Sequence, residues 1–580
     1  MWILGLSCFR DDATAALLHD GSIVGIAEEE RFLRIKHAVY EPGQPVMTSF
    51  DEDHLPDDFE LRYFPSRAIA YLLDAAGIEL QDLDVVAHDF DYAARLRDFG
   101  AFLPMADLLG LEEVDRLKGS WRHCIRMLED FAGKAQAQLV HIPHHRAHAA
   151  GTVFGSGFDR ARYLIIDGLG ELSSVTMGKF DGVTFRDLAR TPLPHSAGLL
   201  YAAVTHYLGF RPFSDEQKTM GLAAYGSDRY QREFQSLLRT SGTSLCTDTD
   251  SVWTSAIRMG VNRKSPLPAL FGAPARSPGC SALTPPYPDV AASLQSALEG
   301  AVSTLLDGLG SAVPDSPLCL GGGVALNCSM NGRIARRGDV DELFVQPQAG
   351  DAGTALGAAY QAHWSLTGTR PEPLQHAYWG PAFGDRAIAG LLQTLKLPAR
   401  RLSDPAATAA EALAAGRIVG WFQGRAECGP RALGNRSILA HPGIEEMKDR
   451  INLRVKGRET WRPFAASILE EERDRYLLDR LDSPFMLLAQ RLSQAGRREL
   501  VAASHRDGTT RPQIVRPRVN ARFHRLITRF KELTGIAAVL NTSLNLAGEP
   551  MANSPQEAIH DFYLSGMDDL ILGEYQLCKS

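Results

Sequence analysis

The sequence lacks any pair of cysteines at a spacing typical of disulfides or metal sites. Its eight cysteines are scattered from Cys8 to Cys578, and no two of them form a CxxC motif. This scatter argues against a disulfide framework and against a zinc–thiolate centre, and it is typical of reduced thiols. We therefore expect a cytoplasmic protein.

The sequence also lacks a long apolar run and an excess of basic residues. No apolar run is long enough to span a bilayer, and the start MWILGLSCFRDD has no basic segment of a signal peptide. The net charge of −8 argues against broad nucleic-acid binding. We expect no membrane partner and no nucleic-acid partner.

What the chain has is enough apolar sequence for globular cores. It contains 580 residues, of which 45% are hydrophobic and 22% charged, and this length predicts two to four domains. The segment Thr367–Leu374 (TGTRPEPL) is the best linker candidate, and Lys264–Asp289 is predicted as a loop. We divide the chain into domains of residues 1–369 and 370–580.

Alternating strand and helix signals predict an α/β protein. Apolar stretches at Ile3–Ser7, Ala13–Leu18 and Ile23–Ala27 predict a hairpin. Further strands are expected at the segments Leu139–Ile142, Tyr163–Ile166, Leu318–Leu320, Ile418–Gln423 and Ala537–Leu540. Helices are expected at Pro65–Ala76, Asp289–Leu309, Gly353–His363 and Pro405–Ala415.

Two histidines and two aspartates are candidate metal ligands. His144 and His148 are four residues apart, so a helix would place them on one face. Asp167 follows a predicted strand and Asp351 precedes a predicted helix. A surface pair, a turn residue and a helix cap are the plain alternatives. Together the four suit Fe(II), Mn(II) or Zn(II).

Three glycines follow predicted strands in turns that would let backbone N–H groups approach phosphates. They are Gly168, Gly321 and Gly322. With the first hairpin, these turns suggest a nucleotide-binding fold of the actin/sugar-kinase type.

The region after residue 370 concentrates basic side chains between glycines, prolines and apolar residues. Such a setting is unlike a solvated charge run, and guanidinium groups suit phosphate-rich ligands. The candidate ligand-binding residues are Arg431, Lys456, Arg458, Arg462, Arg511, Asn541, Ser543 and Asn545.

Several N-terminal motifs resemble the carbamoyltransferases of antibiotic biosynthesis and nodulation-factor modification. They are Ala27–His37 (AEEERFLRIKH), His144–Ala150, Ile165–Glu171, Lys218–Gly226, Leu320–Cys328 and Gly350–Ala359. The resemblance implies an actin/sugar-kinase (ASKHA)-like domain with a duplicated βββαβα core, similar to threonylcarbamoyl transferases. It also implies that His144, His148, Asp167 and Asp351 hold a divalent metal, with Fe²⁺ favoured and Mn²⁺, Zn²⁺ or Mg²⁺ as options. This domain would carry out the carbamoyl transfer.

The C-terminal region resembles an α+β YrdC-like domain, with Lys456-x-Arg458 and Ser543-x-Asn545 as its motif residues. The resemblance implies that ATP and carbamoyl phosphate form carbamoyl-adenylate here. The basic side chains would neutralise phosphates, while Ser543 and Asn541 would orient the reacting groups. The catalytic candidates of the chain are Asp12, Lys36, His144, Lys456, Arg458 and Ser543.

The chain departs from the family pattern at Asp11, which stands where relatives usually carry a histidine, whereas Asp12 remains. Lys36 is the next candidate for an acceptor pocket, although a solvated lysine is an equal alternative. The acidic insertion Tyr40–Phe64 lines the pocket in one interpretation and is a solvated loop in the other. Leu544 replaces the usual phenylalanine.

The expected acceptor is a hydroxyl of a small-molecule natural product, and a homodimer is left open. The main alternative is a tRNA threonylcarbamoyl-type modification enzyme, because both domain types occur there. A non-catalytic nucleotide sensor and a sugar kinase are further alternatives. The complete set of site residues argues against the sensor, and the C-terminal region argues against the kinase.

Overall fold

The computed structural model describes residues 1–10, 12–37, 63–97, 111–256 and 265–579. They group into two compact units. The first unit comprises Met1–Leu33 and His37–Leu374, and the second comprises Arg34–Lys36 and Gln375–Ser580. Asp11 and nearly all of the insertion Tyr40–Phe64, with its acidic run, lie outside the described residues.

The first sheet of the first unit has five strands built around Trp2–Ser7. On one side of this strand, two further strands continue in antiparallel pairing; on the other side, two strands run parallel to it. In sheet order the strands are Ser22–Glu28, Thr14–His19, Trp2–Ser7, Val85–His88 and Gln138–His141. The predicted hairpin is confirmed. The strand predicted at Leu139–Ile142 is found at Gln138–His141, where it is half-exposed.

The second sheet of the first unit repeats this order around Ala161–Ile166. Two antiparallel strands again follow on one side and two parallel strands on the other. In sheet order the strands are Leu343–Val345, Leu318–Gly321, Ala161–Ile166, Ser173–Phe180 and Phe185–Pro192. Because parallel neighbours end at the same sheet edge, residues just after Ile166 and Gly321 lie close together.

Two helices of small residues pack closely in this unit. A Cβ on Gly357 in Thr354–Thr367 would lie 1.9 Å from the Ala147 carbonyl oxygen in His144–Ser156. Only glycine permits this approach, which brings the starts of both helices to one place. The other helices among the described residues of this unit are Glu29–Leu33, Ser66–Ala76, Tyr92–Arg97, Leu111–Ala135, Ala197–Tyr207, Glu216–Ala223, Gln231–Leu237, Thr249–Ala256, Leu267–Phe271, Tyr287–Ala312 and Cys328–Ile334. A small hairpin joins Leu238–Ser241 to Ser244–Thr247.

The second unit is built on an eight-stranded mixed sheet with a core on each face. In sheet order its strands are Arg400–Arg401, Tyr575–Cys578, Asp569–Leu572, Val419–Phe422, Arg436–Ala440, Ala538–Ser543, Ala465–Leu469 and Gln513–Val515. Neighbouring side chains of a strand point to opposite faces, so Trp421 belongs to one core and Phe422 to the other.

Helices cover the sheet of the second unit. They are Asp385–Thr394, Pro405–Ala414, Met447–Arg454, Arg473–Tyr476, Gln494–Glu499, Ala521–Thr534 and Pro555–Leu564. A two-stranded sheet pairs Gln490–Arg491 with Thr509–Thr510. Both units thus combine helices with mixed sheets, and the α/β class is confirmed.

Three local predictions differ from the structure. The predicted loop Lys264–Asp289 contains the helix Leu267–Phe271. The strand expected to end at Leu540 runs to Ser543, so Asn541 and Ser543 lie within it. The predicted linker is fastened to the first unit, because Leu374 donates its N–H to the Gly155 carbonyl at 2.9 Å. The units therefore divide after Leu374, whereas the sequence placed the boundary after residue 369.

Among the described residues, no helix combines the length and apolar character needed to cross a membrane.

Candidate metal centre and anion-binding site

The four predicted metal ligands converge in the first unit. The Nε2 atoms of His144 and His148 lie 3.1 Å apart, and Asp167 Oδ2 lies 3.0 Å from the first and 3.5 Å from the second. Asp351 Oδ1 lies 3.5 Å from both nitrogens. Four atoms at such separations surround a point about 2.0–2.2 Å from each, which is the usual bond length of N and O ligands to divalent metals. The donor set therefore fits a metal ion.

Local structure explains this convergence. Helix His144–Ser156 begins right after Pro143, and its geometry stacks His148 one turn beyond His144. Asp167 follows the strand Ala161–Ile166, and its Oδ1 accepts the Gly323 N–H at 3.0 Å, which leaves Oδ2 directed at the histidines. Asp351 opens the turn before helix Thr354–Thr367.

The site is buried, and its charged groups shift one another's pKa. Burial would raise the pKa of Asp167, but hydrogen bonds with His144 and His148 hold it well below its usual value. Burial and Arg10 would lower the pKa of His144, but Asp351 and Asp167 raise it well above its usual value. The carboxylates therefore stabilise positive charge at this point, whether on a protonated imidazole or on a bound cation.

Arg10 and Asp89 complete the cluster, although the sequence did not single them out. Arg10 Nη1 lies 2.8 Å from Asp351 Oδ2 and 3.1 Å from His144 Nε2, and Nη2 pairs with Asp89. Asp89 follows the strand Val85–His88 as Asp167 follows Ala161–Ile166. An aspartate directly after a buried strand was the signal that could have identified it.

The charges of this cluster favour a divalent ion. Asp89, Asp167 and Asp351 contribute three negative charges, and Arg10 contributes one positive charge, so the sum with neutral imidazoles is −2. Buried charges are costly unless they are compensated. A divalent cation among these ligands brings the sum to zero.

Asp12, a predicted catalytic residue, lies in a second group of the first unit. Its Oδ1 is 3.1 Å from His37 Nδ1, and Glu30 accepts the His37 N–H at 2.7 Å. These three half-buried side chains form another potential ligand set. The sequence did not identify His37 or Glu30.

The three predicted phosphate-binding glycines have different surroundings. Gly322 has φ +88°, and a Cβ there would lie 2.2 Å from the Ile166 carbonyl oxygen. A Cβ on Gly321 would lie 3.0 Å from Ile165 Cδ1, whereas Gly168 has no atom closer than 4.0 Å to such a Cβ. Strand packing thus explains Gly322 and Gly321, whereas a Cβ on Gly168 would make only ordinary van der Waals contacts, at 4.0 Å from Leu199 and Phe213.

In the second unit, Lys456 is the centre of the predicted anion site. Its Nζ donates to the Ser543 carbonyl at 2.6 Å, to Asn545 Oδ1 at 2.7 Å and to the Asn545 carbonyl at 3.0 Å. The side chain is buried, and burial together with Arg458 holds its pKa well below the usual lysine value. The motif residues Lys456, Ser543 and Asn545 therefore meet as one hydrogen-bonded group.

Arg462 and Arg511 lie close enough to Arg458 for their positive charges to repel its guanidinium. Burial, with Arg462 and Arg511, lowers the pKa of Arg458 well below its usual value, and Glu459 offsets this only in part. Arg458 Nε donates to Asn452 Oδ1 at 2.7 Å, and its guanidinium lies 4.8 Å from the Phe464 ring centroid. Clustered, half-buried cations of this kind favour an anionic ligand.

Arg436 and Glu427 make structural contacts within the loop that also contains Arg431. The buried Arg436 guanidinium donates to backbone carbonyls, among them that of Gln423 at 2.6 Å. Glu427 accepts three N–H groups of the same loop, from Leu433, Asn435 and Arg436. Arg431 is half-buried in this loop.

The amide nitrogen of Asn541 is directed into the protein, where it donates to Ser467 Oγ at 2.9 Å and to the Ala432 carbonyl at 3.2 Å. Asn541 is thus buried with its donor group already engaged.

Lys36, predicted for the acceptor pocket of the first domain, groups instead with the second unit. Its charge is among those that lower the pKa of Lys456. The structure therefore places Lys36 with the cationic cluster of the second unit.

Comparison with known proteins identifies the chain. The family model "Carbamoyltransferase N-terminus" matches residues 105–360, and "Carbamoyltransferase C-terminus" matches residues 410–579. An uncharacterized protein of Synechocystis is 35% identical over 100% of this chain and 97% of its own. Nodulation protein NolNO of Sinorhizobium fredii is 35% identical, and the match covers 98% of this chain and 79% of NolNO. The 3'-hydroxymethylcephem-O-carbamoyltransferase of Amycolatopsis lactamdurans is 32% identical, and the match covers 62% of this chain and 64% of that protein. The chain therefore belongs to the carbamoyltransferase family and is a transferase enzyme.

Proposed function

We propose that the protein is an ATP-dependent O-carbamoyltransferase that modifies a hydroxyl of a small-molecule natural product. The observation that carries this proposal is the presence of two chemically different sites in one chain. One is the carboxylate–histidine cluster of the first unit, and the other is the buried cationic group of the second. The named activity of the cephem relative supports the same reaction type.

Activation belongs to the second unit in this proposal. Carbamoyl phosphate and water give carbamate and phosphate; a carbamate oxygen then attacks the α-phosphorus of ATP, and pyrophosphate leaves. Lys456, Arg458, Arg462, Arg511 and Arg431 neutralise the phosphates. Ser543 and Asn545 hold the Lys456 ammonium in place, as their contacts of 2.6–3.0 Å indicate. Asn541 stabilises the strand Ala538–Ser543, which carries Ser543, through its buried amide group.

Transfer to the acceptor belongs to the first unit. His144, His148, Asp167 and Asp351 would hold a divalent metal, with Fe²⁺ favoured and Mn²⁺, Zn²⁺ or Mg²⁺ as options. When bound, such an ion supplies Lewis-acid polarisation of a carbonyl or phosphoryl oxygen. Gly168 would offer its N–H to the adenylate phosphate, and Gly321 and Gly322 shape the loop beside Asp167. Asp12, paired with His37, would accept the proton of the attacking hydroxyl.

The remaining features are proposed with the function. The repeated strand order of the first unit supports an actin/sugar-kinase-like domain with a duplicated core. The Lys456–Arg458 and Ser543–Asn545 motifs support a YrdC-like second domain. We propose a cytoplasmic enzyme that acts on a small molecule and needs neither nucleic acid nor membrane.

The test is an isotope exchange between labelled pyrophosphate and ATP, measured with the intact chain with and without carbamoyl phosphate. We expect exchange only when carbamoyl phosphate is present. A folded, metal-loaded sample without exchange would contradict the activation step. Mass-spectrometric screening of hydroxylated metabolites for a gain of one carbamoyl group then identifies the acceptor, and modification of tRNA instead would support the alternative.

A further inference from the structure

We propose that Arg10, held by Asp89, is a positioning residue of the metal centre that limits Asp351 to binding through one oxygen. This inference rests on the proposed metal site. It concerns residues to which none of the sequence motifs gave a role.

The first observation is that the two oxygens of Asp351 face different partners. Oδ2 lies 2.8 Å from Arg10 Nη1, whereas Oδ1 lies 3.5 Å from Nε2 of both His144 and His148. A charge-assisted hydrogen bond draws Oδ2 toward the guanidinium and makes it a poorer metal ligand than Oδ1. Only Oδ1 then faces the metal position.

The second observation is that Arg10 is itself firmly held. Its Nη2 pairs with Asp89, and its guanidinium lies 4.9 Å from the Phe90 ring centroid. Only 14% of the Arg10 side chain is exposed, and none of Asp89. The planar guanidinium reaches Asp89 and Asp351 with two separate nitrogens, which a lysine ammonium cannot reproduce with the same geometry.

Asp89 links this pair to a second ligand. The same Oδ2 that accepts from Arg10 also accepts the Thr354 hydroxyl, and it lies 3.8 Å from Nδ1 of His144. A carboxylate usually orients a metal-bound histidine through a hydrogen bond with its second ring nitrogen, whereas the separation of 3.8 Å here is an ionic contact and not a hydrogen bond. Asp89 therefore lies next to His144 and is linked to Asp351 through Arg10.

Two consequences follow for a bound ion. One-oxygen binding by Asp351 keeps the protein ligands to four single atoms, so positions remain for oxygens of the substrate. The positive charge of Arg10 also weakens the attraction of the site for a cation. Loss of Arg10 should release Asp351 Oδ2 to the metal, fill an open position and tighten metal binding.

The experiment uses Co²⁺ as the probe, because its visible absorption reports coordination number. In the metal-free full chain, Arg10→Met should lower the Kd for Co²⁺ about tenfold or more and weaken the visible absorption as coordination increases. Arg10→Lys retains the charge but not the bridge, so its absorption should change in the same way while its Kd stays near the native value. Arg95→Lys, whose guanidinium lies 5.4 Å from the same Phe90 ring, is the control and should change neither.

Unchanged Kd and absorption in both Arg10 variants would overturn the inference, and so would loss of Co²⁺ binding in a folded variant. If Arg10→Met does not fold, the visible absorption of Co²⁺ bound to Arg10→Lys decides whether the inference holds. Failure of the native chain to bind one Co²⁺ would instead contradict the metal centre of the proposed function.

Discussion

Lys456 donates a 2.7 Å hydrogen bond to Oδ1 of Asn545, an amide oxygen and not a carboxylate. The hydrogen-bond acceptors of the ammonium are therefore neutral, and burial together with neighbouring arginines disfavours its charged form, which Asp561 offsets only in part. A phosphate group would supply the missing negative charge. This pairing makes Lys456 the most informative residue of the second unit.

We expect Lys456→Met to abolish the exchange of pyrophosphate into ATP, because the variant loses both the charge and the donors directed at Ser543 and Asn545. Metal binding in the first unit should be unchanged. Lys531→Met is the control, since Lys531 pairs with Glu472 at the surface and should leave exchange intact. Native exchange in the Lys456 variant would show that activation occurs elsewhere.

Anions should stabilise the second unit because the arginines clustered around Lys456 repel its charge and that of Arg458. Pyrophosphate at 100 times its Kd would add about 2.7 kcal/mol to the free energy of unfolding, seen as a rise in Tm. Arg462→Met should reduce this rise. Arg529→Met, which removes only an exposed pair with Glu532, should not. A rise reproduced by chloride at equal ionic strength would indicate screening instead of binding.

The division between the two sites can be tested at neighbouring histidines. His144→Ala should lose the bound metal and acceptor carbamoylation while it retains pyrophosphate exchange. His145→Gln is the matched control, because His145 Nδ1 contacts Thr176 Oγ1 at 2.7 Å and burial keeps its pKa at about 3. Metal content and both half-reactions provide the readout. Loss of exchange in the His144 variant would contradict two separate sites.

The sequence singled out the four candidate metal ligands because each carries a local signal. The i, i+4 spacing of His144 and His148 and the position of Asp167 after a strand are visible without a structure. Arg10 was not predictable in this way, since its partner Asp89 is distant in sequence and meets it only when two parallel strands align. Lys36 groups with the second unit although it lies among residues of the first, because chain continuity does not determine which unit a short segment joins.

Gly322 is predicted to stabilise the fold for a backbone reason. Its φ of +88° and ψ of 158° are accessible almost only to glycine, and a Cβ would meet the Ile166 oxygen at 2.2 Å. Gly322→Ala should therefore lower the free energy of unfolding by about 3 kcal/mol. Gly300→Ala is the control: it lies in helix Tyr287–Ala312 with nothing near its Cβ, and should stabilise by about 0.5–1 kcal/mol. Equal Tm values would contradict this account.

Asp561 should make the stability of the second unit depend on pH. Its carboxyl is buried, Oδ2 has no hydrogen-bond partner, and burial with Glu549 raises its pKa to about 6. A carboxyl whose folded pKa is raised favours folding when protonated. Stability is therefore lost as pH rises from the unfolded pKa of about 4 through 6, and the penalty above that is about 2–3 kcal/mol.

Asp561→Asn removes this ionisation, so its advantage in Tm over the native chain should be small at pH 4 and should grow up to pH 7.5. Denaturation followed at several pH values measures the difference. His560→Gln is the control, because His560 is exposed and lies 3.4 Å from Asp561; it should leave most of the pH slope in place. A Tm difference that is constant with pH would mean that the Asp561 carboxyl is already ionised at pH 4 in the folded protein.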